Sequence, residues 1–107
     1  MIGENSYTSL HRSVLKVFRG MKRGGIRSLP IYMELVGRWE AENGNLDQMQ
    51  EVPARILVSE PSIAELTSIT GRSAATTRRY MKFLADCGLV SSGQNGTLSI
   101  AVYVEAD

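Results

Sequence analysis

The first hydrophobic pattern in the chain predicts an amphipathic helix over residues 6–23. Apolar residues recur there at intervals of three and four, which places them along one side of a helix. Cations recur at similar intervals on the opposite side, so one face is expected to be buried and the other to be exposed and basic. The apolar stripe consists of Tyr7, Leu10, Val14, Val17 and Met21, and the cationic stripe consists of Arg12, Lys16, Arg19 and Arg23.

A second helix is predicted over residues 29–43, because Ser28 is a good N-cap and Gly44 follows the last residue of the apolar pattern. The polar residues 45–53 predict a loop with room for a helical turn. Residues 55–59 predict a short strand, since three aliphatic residues follow one another there. The buried stripe expected for the second helix is Tyr32, Leu35, Val36 and Trp39.

Two further helices are predicted on either side of a three-residue turn. Ser62 and Glu65 have the spacing of a capping box, and Gly71 ends the helix that they open. Ser73 is the N-cap of the next helix, which runs to about Cys87. The two helices are thus expected to meet at a sharp angle.

The end of the chain predicts a β-hairpin. A brief strand over residues 89–92 is followed by Asn95 and Gly96, the residue pair most typical of a two-residue hairpin turn. Apolar residues then alternate over residues 98–104, as expected for the returning strand. The predicted order is helix, helix, strand, helix, helix, hairpin.

The composition is that of one globular domain spanning residues 1–107. Hydrophobic residues make up 43% and charged residues 21% of the chain, and Cys87 is the only cysteine, so no intramolecular disulfide can form. The apolar runs are far shorter than the roughly 20 residues that cross a bilayer, and the start lacks the apolar region of a secretory signal. We therefore expect a cytoplasmic protein with no membrane partner.

Charge is unevenly distributed although the net charge is only +1. Residues 1–30 carry six Lys or Arg against one acid, residues 31–70 carry two against seven, and residues 71–107 carry four against three. This segregation predicts that a basic surface is assembled from the N-terminal helix and another part of the fold.

The residues that commonly build catalytic or cofactor sites do not form a recognisable set. The chain has no Cys/His pair, no metal-binding histidine besides His11 and no phosphate-binding loop, so the usual residue sets for nucleophilic, zinc or nucleotide chemistry cannot be assembled. We expect neither an enzyme nor a bound cofactor or metal.

The helix pair and hairpin resemble the winged helix-turn-helix of bacterial MarR-like and GntR-like regulators over about residues 56–104. The turn Gly71-Arg72-Ser73 between the helices carries much of this resemblance. The other residues that carry it are Ile63–Leu66, Thr70, Thr76, Arg78, Arg79, Leu84 and Gly88–Val90. The resemblance implies a mainly α fold with a small antiparallel β-sheet (α+β), a winged helix-turn-helix over residues 29–104 with an added N-terminal helix.

The resemblance also implies that double-stranded DNA is the partner and that the helix after Gly71 lies in the major groove. Arginine can pair with guanine, and the methyl groups of threonine and alanine can contact thymine, whereas Lys82 is placed to meet phosphate. The wing departs from the family pattern, because residues 91–97 contain no Lys or Arg. The expected DNA-binding residues are Arg72, Ser73, Ala75, Thr76, Arg78, Arg79, Lys82, Gln94 and Asn95.

A second departure from the family pattern lies inside the helix pair. Thr67, Thr70 and Thr77 occupy positions where related motifs carry alanine or aliphatic residues. The interior of the pair is therefore expected to be more polar than usual.

An apolar stripe of this kind more often packs on its own domain than on another chain. The same resemblance nevertheless implies dimerisation through the N-terminal helix, with Tyr7, Leu10, Val14, Val17 and Met21 as the expected contact. A two-fold dimer would place two recognition helices about 34 Å apart, which suits a palindromic site. We expect a homodimeric, sequence-specific transcriptional regulator of a bacterium or mobile element, with no small-molecule effector assigned. The alternatives are a plasmid or phage factor for partition or replication and a winged-helix protein-interaction module that binds no DNA.

Overall fold

The computed structural model describes residues 11–21 and 23–104 and shows an α+β fold, mainly α with a small antiparallel sheet, as predicted. No helix in this part of the chain is long and apolar enough to cross a membrane. In chain order, the elements are α1 (Arg12–Gly20), α2 (Arg23–Ile26), α3 (Leu29–Asn43), a 3-10 turn (Leu46–Gln48), β1 (Arg55–Ser59), α4 (Ile63–Thr70), α5 (Ala74–Asp86), β2 (Val90–Ser92) and β3 (Thr97–Ala101).

The predicted helix over residues 6–23 is interrupted after Gly20. Met21 is extended, with φ −77° and ψ 152°, and α2 begins at Arg23. Glycine disfavours a helix because it loses the most backbone freedom on folding, a cost that the apolar periodicity does not register. The expected start of this helix and its residues Tyr7 and Leu10 lie outside the described residues.

Val14 does not lie on a surface that a second copy could contact. Its side chain is 0% exposed and that of Phe18 is 1% exposed, and both belong to the core of the single chain. Val17 and Met21 are half-buried against the same core. The structure therefore corrects the assignment of Val14 to a dimer contact, because its hydrophobic face is already covered by the fold.

Two of the three predicted N-cap serines make the expected side-chain hydrogen bond. Ser62 and Glu65 form the complete capping box of α4, and the Ser73 hydroxyl accepts a hydrogen bond from the backbone of α5. Ser28, in contrast, makes no side-chain cap. It is fully buried, and its hydroxyl donates to the carbonyl of Gly25, so it joins α2 to α3 instead.

The sheet has the order β1-β3-β2, with both pairings antiparallel. Asn95 and Gly96 have φ angles of 58° and 74°, and the Thr97 backbone N–H donates to the Gln94 carbonyl, as in a type I′ turn. Gly93 also bonds to Thr97, so two residues oppose one and form a bulge. The returning strand ends at Ala101, three residues earlier than predicted, opposite Arg55, where its antiparallel partner β1 begins.

The core lies between the helices and the inner face of the sheet. The Tyr32 hydroxyl on α3 donates to the Ala101 carbonyl at 2.7 Å, and the Tyr32 ring meets Phe18 edge-on with 5.6 Å between centroids. Burial raises the pKa of Tyr32 above its usual value, so the hydroxyl stays a proton donor. Other core residues are Ile31, Leu35, Val36, Ile56, Val58, Leu66, Tyr80, Leu84, Leu89, Leu98 and Ile100.

Candidate nucleic-acid interface

The turn between α4 and α5 depends on one left-handed residue. Gly71 has φ 68° and ψ 18°, and its backbone N–H donates to the Thr67 carbonyl at 2.8 Å. Only glycine takes this conformation without a steric cost, and it is the usual residue after a helix. The chain therefore reverses within three residues and places the start of α5 beside the end of α4.

Polar side chains fill the contact between these two helices, as their sequence predicts. Thr77 is 0% exposed, and its hydroxyl lies 3.1 Å from that of Thr70. The Thr70 hydroxyl also accepts a hydrogen bond from the Arg72 backbone at 3.1 Å. The threonines thus join both helices and the turn through satisfied hydrogen bonds rather than through an apolar contact.

One side of α5 faces the core and the other is exposed. Thr77, Tyr80 and Leu84 are buried, at intervals of three and four residues. Helical spacing places Ala75, Arg78, Arg79 and Lys82 on its outer side, whereas Met81 and Phe83 are partly buried against the core. Of the predicted DNA-binding residues, Arg72, Ser73, Ala75, Arg78, Arg79 and Lys82 are exposed and Thr76 is half-buried.

Three of these exposed side chains are cations without a partner in the described part of the chain. No hydrogen bond or ion pair joins the guanidinium groups of Arg72, Arg78 and Arg79 to another described residue. We call these three residues the α5 face. Because their donors are unused, they can all be directed to an anion or to an acceptor on a base.

The remaining polar residues on this side are already engaged. The Ser73 hydroxyl donates to that of Thr76 at 3.1 Å, and Lys82 forms an ion pair with Asp86 at 3.1 Å. Both members of this pair are largely exposed, so it contributes at most about 1 kcal/mol and does not prevent Lys82 from meeting a phosphate. Asp86 was not among the predicted residues, although its spacing of four residues from Lys82 indicates an ion pair on one side of a helix.

A groove of about 510 Å³ joins the α5 face to the hairpin turn. Arg78 and Gly96 both line it, and the Glu60 backbone N–H donates to the Gly96 carbonyl at 2.9 Å. Gln94 and Asn95 are exposed in the same turn. The structure thus brings Arg78 and the hairpin turn to one groove, with Glu60 as the nearby acid.

Two arginines position this surface without belonging to it. Arg38 on α3 pairs with Glu34 and with Glu65, 3.0 and 3.1 Å away, and so holds the start of α4. Hydrogen bonds from the Ser62 backbone and from Arg38 lower the pKa of Glu65. The sequence did not indicate that Arg38 reaches α4.

Arg55 is the second of them, and its role was missed in the sequence. Its guanidinium donates to the Ser99 hydroxyl at 2.7 Å and to the Ser91 hydroxyl at 3.1 Å, so it crosses the outer face of all three strands. The available signal was strand alternation, which places these residues on one face once the register is known.

Comparisons with protein-family models, with curated proteins and with solved structures gave no match. Within residues 11–21 and 23–104, no group of three or more His, Cys, Asp or Glu side chains could hold a metal ion. The Cys87 thiol is half-buried, and burial raises its pKa, so it is mainly protonated near neutral pH. The geometry of the α5 face is therefore the main guide to function.

Proposed function

We propose that this protein binds double-stranded DNA through the α5 face and the hairpin turn of a winged helix-turn-helix, and that it acts as a homodimeric transcriptional regulator. The observation that carries the proposal is the α5 face, whose three exposed guanidinium groups are bonded to no other described residue and one of which, Arg78, lines the groove that reaches the hairpin turn. The order of α3, β1, α4, α5 and the β2–β3 hairpin agrees with the resemblance in sequence.

Binding would proceed by charge first and by base contacts second. Phosphate contacts from Arg72 and Lys82 fix the register of the protein on the duplex, and they carry no sequence information. Arg78 and Arg79 then enter the major groove, where a guanidinium can bond to both acceptors of guanine. Ala75 and the methyl group of Thr76 provide the apolar contacts suited to thymine. Gln94 and Asn95 would provide uncharged contacts from the hairpin turn.

Dimerisation and a cytoplasmic location remain parts of the proposal. Since Val14 is buried within its own chain, a dimer contact would have to use other residues of the predicted stripe, such as the half-buried Val17 and Met21. Occupancy of a palindromic site would regulate transcription by blocking or recruiting other proteins, without catalysis or a bound cofactor.

The decisive experiment is fluorescence anisotropy with a duplex selected for tight binding and with its scrambled version. We expect Arg78→Ala or Arg79→Ala to lose about 1–3 kcal/mol on the selected duplex and less on the scrambled one. Lys82→Ala should weaken both duplexes equally, and Arg27→Ala is the matched control because Arg27 is also exposed. No binding to any duplex, or equal losses on both duplexes for every variant, would contradict the proposal.

A protein-interaction module is the second candidate, and a groove between α3 and β1 favours it. This groove measures about 530 Å³ and is lined by Trp39, Leu57 and Glu42, with Leu57 61% exposed. An exposed aliphatic side chain beside an aromatic one is typical of a protein contact. If the wild-type chain binds no duplex, then Leu57→Ser should be tested for loss of a protein complex. A plasmid partition or replication factor would instead show an extended footprint over arrayed sites.

A further inference from the structure

The cations that the structure describes fall into engaged and unengaged groups. Arg38, Arg55 and Lys82 bond to neighbouring residues, whereas the α5 face does not. A second unengaged group lies on α1, where all three cations are exposed and no hydrogen bond or ion pair joins them to another described residue. We call this group the α1 stripe; it consists of Arg12, Lys16 and Arg19.

The α1 stripe forms a continuous line of positive charge. Its residues are spaced by four and three, so they share one side of the helix, and α1 contains no acid. At 1.5 Å per residue, the line extends over about 10 Å. One strand of a duplex carries a phosphate about every 3.4 Å of helix axis, so the stripe matches about three phosphates.

The opposite side of α1 argues against a membrane as its partner. An amphipathic helix binds a bilayer by burying its apolar face among the lipids. In α1 that face is already buried, because Val14 and Phe18 lie in the core of the chain. A protein partner would usually require an apolar centre to the contact, which the stripe does not offer. A phosphate backbone requires only the exposed cations.

The location of α1 separates its stripe from the α5 face. The Ser13 hydroxyl accepts a hydrogen bond from the Val104 backbone at 2.8 Å, and the rings of His11 and Tyr103 are 5.5 Å apart. Tyr103 and Val104 follow β3 at its far end, whereas the hairpin turn precedes β3 at its other end. α1 is therefore attached beyond the far end of β3, whereas the groove lined by Arg78 of the α5 face lies at the hairpin end of that strand.

We propose that the α1 stripe is a second nucleic-acid site, which binds the phosphate backbone of one duplex while the α5 face binds another. Its contacts are sequence-independent, since lysine and arginine recognise phosphate by charge. A single protein molecule can then bridge two DNA segments, whereas the function proposed above requires it to bind only one.

The test compares two triple variants in a bridging assay with random duplex. The α1 variant is Arg12→Gln/Lys16→Gln/Arg19→Gln, and the α5 variant is Arg72→Gln/Arg78→Gln/Arg79→Gln. Beads carrying one duplex should capture a fluorescent second duplex when wild-type protein is added, and each variant should reduce this capture at least tenfold. Circular dichroism should show that both variants remain folded, because every substituted side chain is exposed.

Binding of a single duplex by each variant gives the second measurement. The α5 variant should retain binding with a salt slope of up to about 2.7, which is about 0.9 for each of three phosphates. Equal capture by wild type and the α1 variant, absence of capture by wild type, or loss of all binding by the α5 variant would overturn the second site. The last outcome would leave the α5 proposal standing. Normal binding by the α5 variant with loss only in the α1 variant would overturn the α5 proposal and, because bridging rests on it, the bridging of two duplexes as well.

Two controls separate phosphate binding from other roles of α1. Sedimentation should show the same oligomeric state for wild type and the α1 variant. If the α1 substitutions dissociate a dimer, the loss of bridging would come from that dissociation and not from lost phosphate contacts, and the proposal would be overturned. Vesicles of phosphatidylserine and phosphatidylcholine provide the lipid comparison. Retention of wild type, but not of the α1 variant, on these vesicles together with unchanged DNA bridging would assign the stripe to a membrane and overturn the proposal.

Discussion

Two hydroxyl groups, those of Thr70 and Thr77, form a hydrogen bond between the two helices of the candidate interface. The Thr70 and Thr77 side chains occupy positions where an aliphatic pair would serve an ordinary helix contact. Their hydrogen bond is the reason that a polar pair is tolerated there, since an unpaired buried hydroxyl is costly. The orientation of the α5 face relative to α4 thus depends on a few polar atoms.

A double-mutant cycle at Thr70 and Thr77 should reveal this coupling. We expect Thr77→Val to lower the free energy of unfolding by about 1 kcal/mol, because one partner of a buried hydrogen bond is lost. Thr70→Val should cost more, since it also removes the acceptor of the Arg72 backbone. Urea denaturation measures both, with Thr67→Val as the control whose hydroxyl bonds only within α4. Strictly additive losses in the double variant would show that the pair is not coupled.

Protonation of the Glu65 carboxylate makes the stability of α4 depend on pH. Its pKa is lowered by hydrogen bonds from the Ser62 backbone and from Arg38, so its contribution is present above the unfolded-state pKa. That contribution is lost as the pH falls through the lower folded-state pKa, where the carboxylate becomes protonated.

The predicted consequence concerns Glu65→Gln. The variant should have a lower urea midpoint than wild type near pH 7, and the difference should shrink as the pH is lowered to about 3, below the usual pKa of glutamate. Glu42→Gln on α3 is the matched control, since Glu42 is exposed and forms no ion pair with another described residue. A difference that stays constant with pH would exclude the charge of the Glu65 carboxylate as its origin.

At the scale of elements, alanine is expected to have opposite effects on stability at two glycines that lie at helix ends. Gly71 ends α4 in the left-handed region, whereas Gly20 is the last residue of α1 and has no positive φ. Neither has an atom within 4 Å of the place where a Cβ would stand. Backbone conformation alone should therefore decide the effect of alanine at each position.

Gly71→Ala should reduce the free energy of unfolding by about 1–2 kcal/mol, the cost of a left-handed conformation for a residue with a Cβ. Gly20→Ala should instead raise it by up to about 1 kcal/mol, because alanine loses less backbone freedom in a helix. Thermal melting of the two variants measures the contrast. The same sign of change in both would mean that steric freedom is not what distinguishes these positions.

At the scale of the whole molecule, the features that depend on local sequence signals were predicted better than the features that depend on long-range contacts. The bounds of α3 and β1 agree with those predicted from the sequence. Glycine and proline mark the ends of these segments, and β-branched residues favour the strand. The break after Gly20 was hidden by an apolar pattern that continues past it. The coverage of Val14 by its own chain and the reach of Arg55 across three strands were not predicted, since both depend on contacts between residues distant in the chain.

Tyr32 shows how such a distant contact connects the molecule, because its hydroxyl reaches β3 and its ring meets α1. We expect Tyr32→Phe to lower the free energy of unfolding by about 1–3 kcal/mol, since it leaves the Ala101 carbonyl without this donor while the ring packing is kept. Tyr103→Phe is the matched control, because its hydroxyl bonds to no other described residue. Urea denaturation at constant pH measures both variants. Equal stability of Tyr32→Phe and wild type would mean that water replaces the lost donor and that ring packing, rather than the hydrogen bond, holds α3 to the sheet.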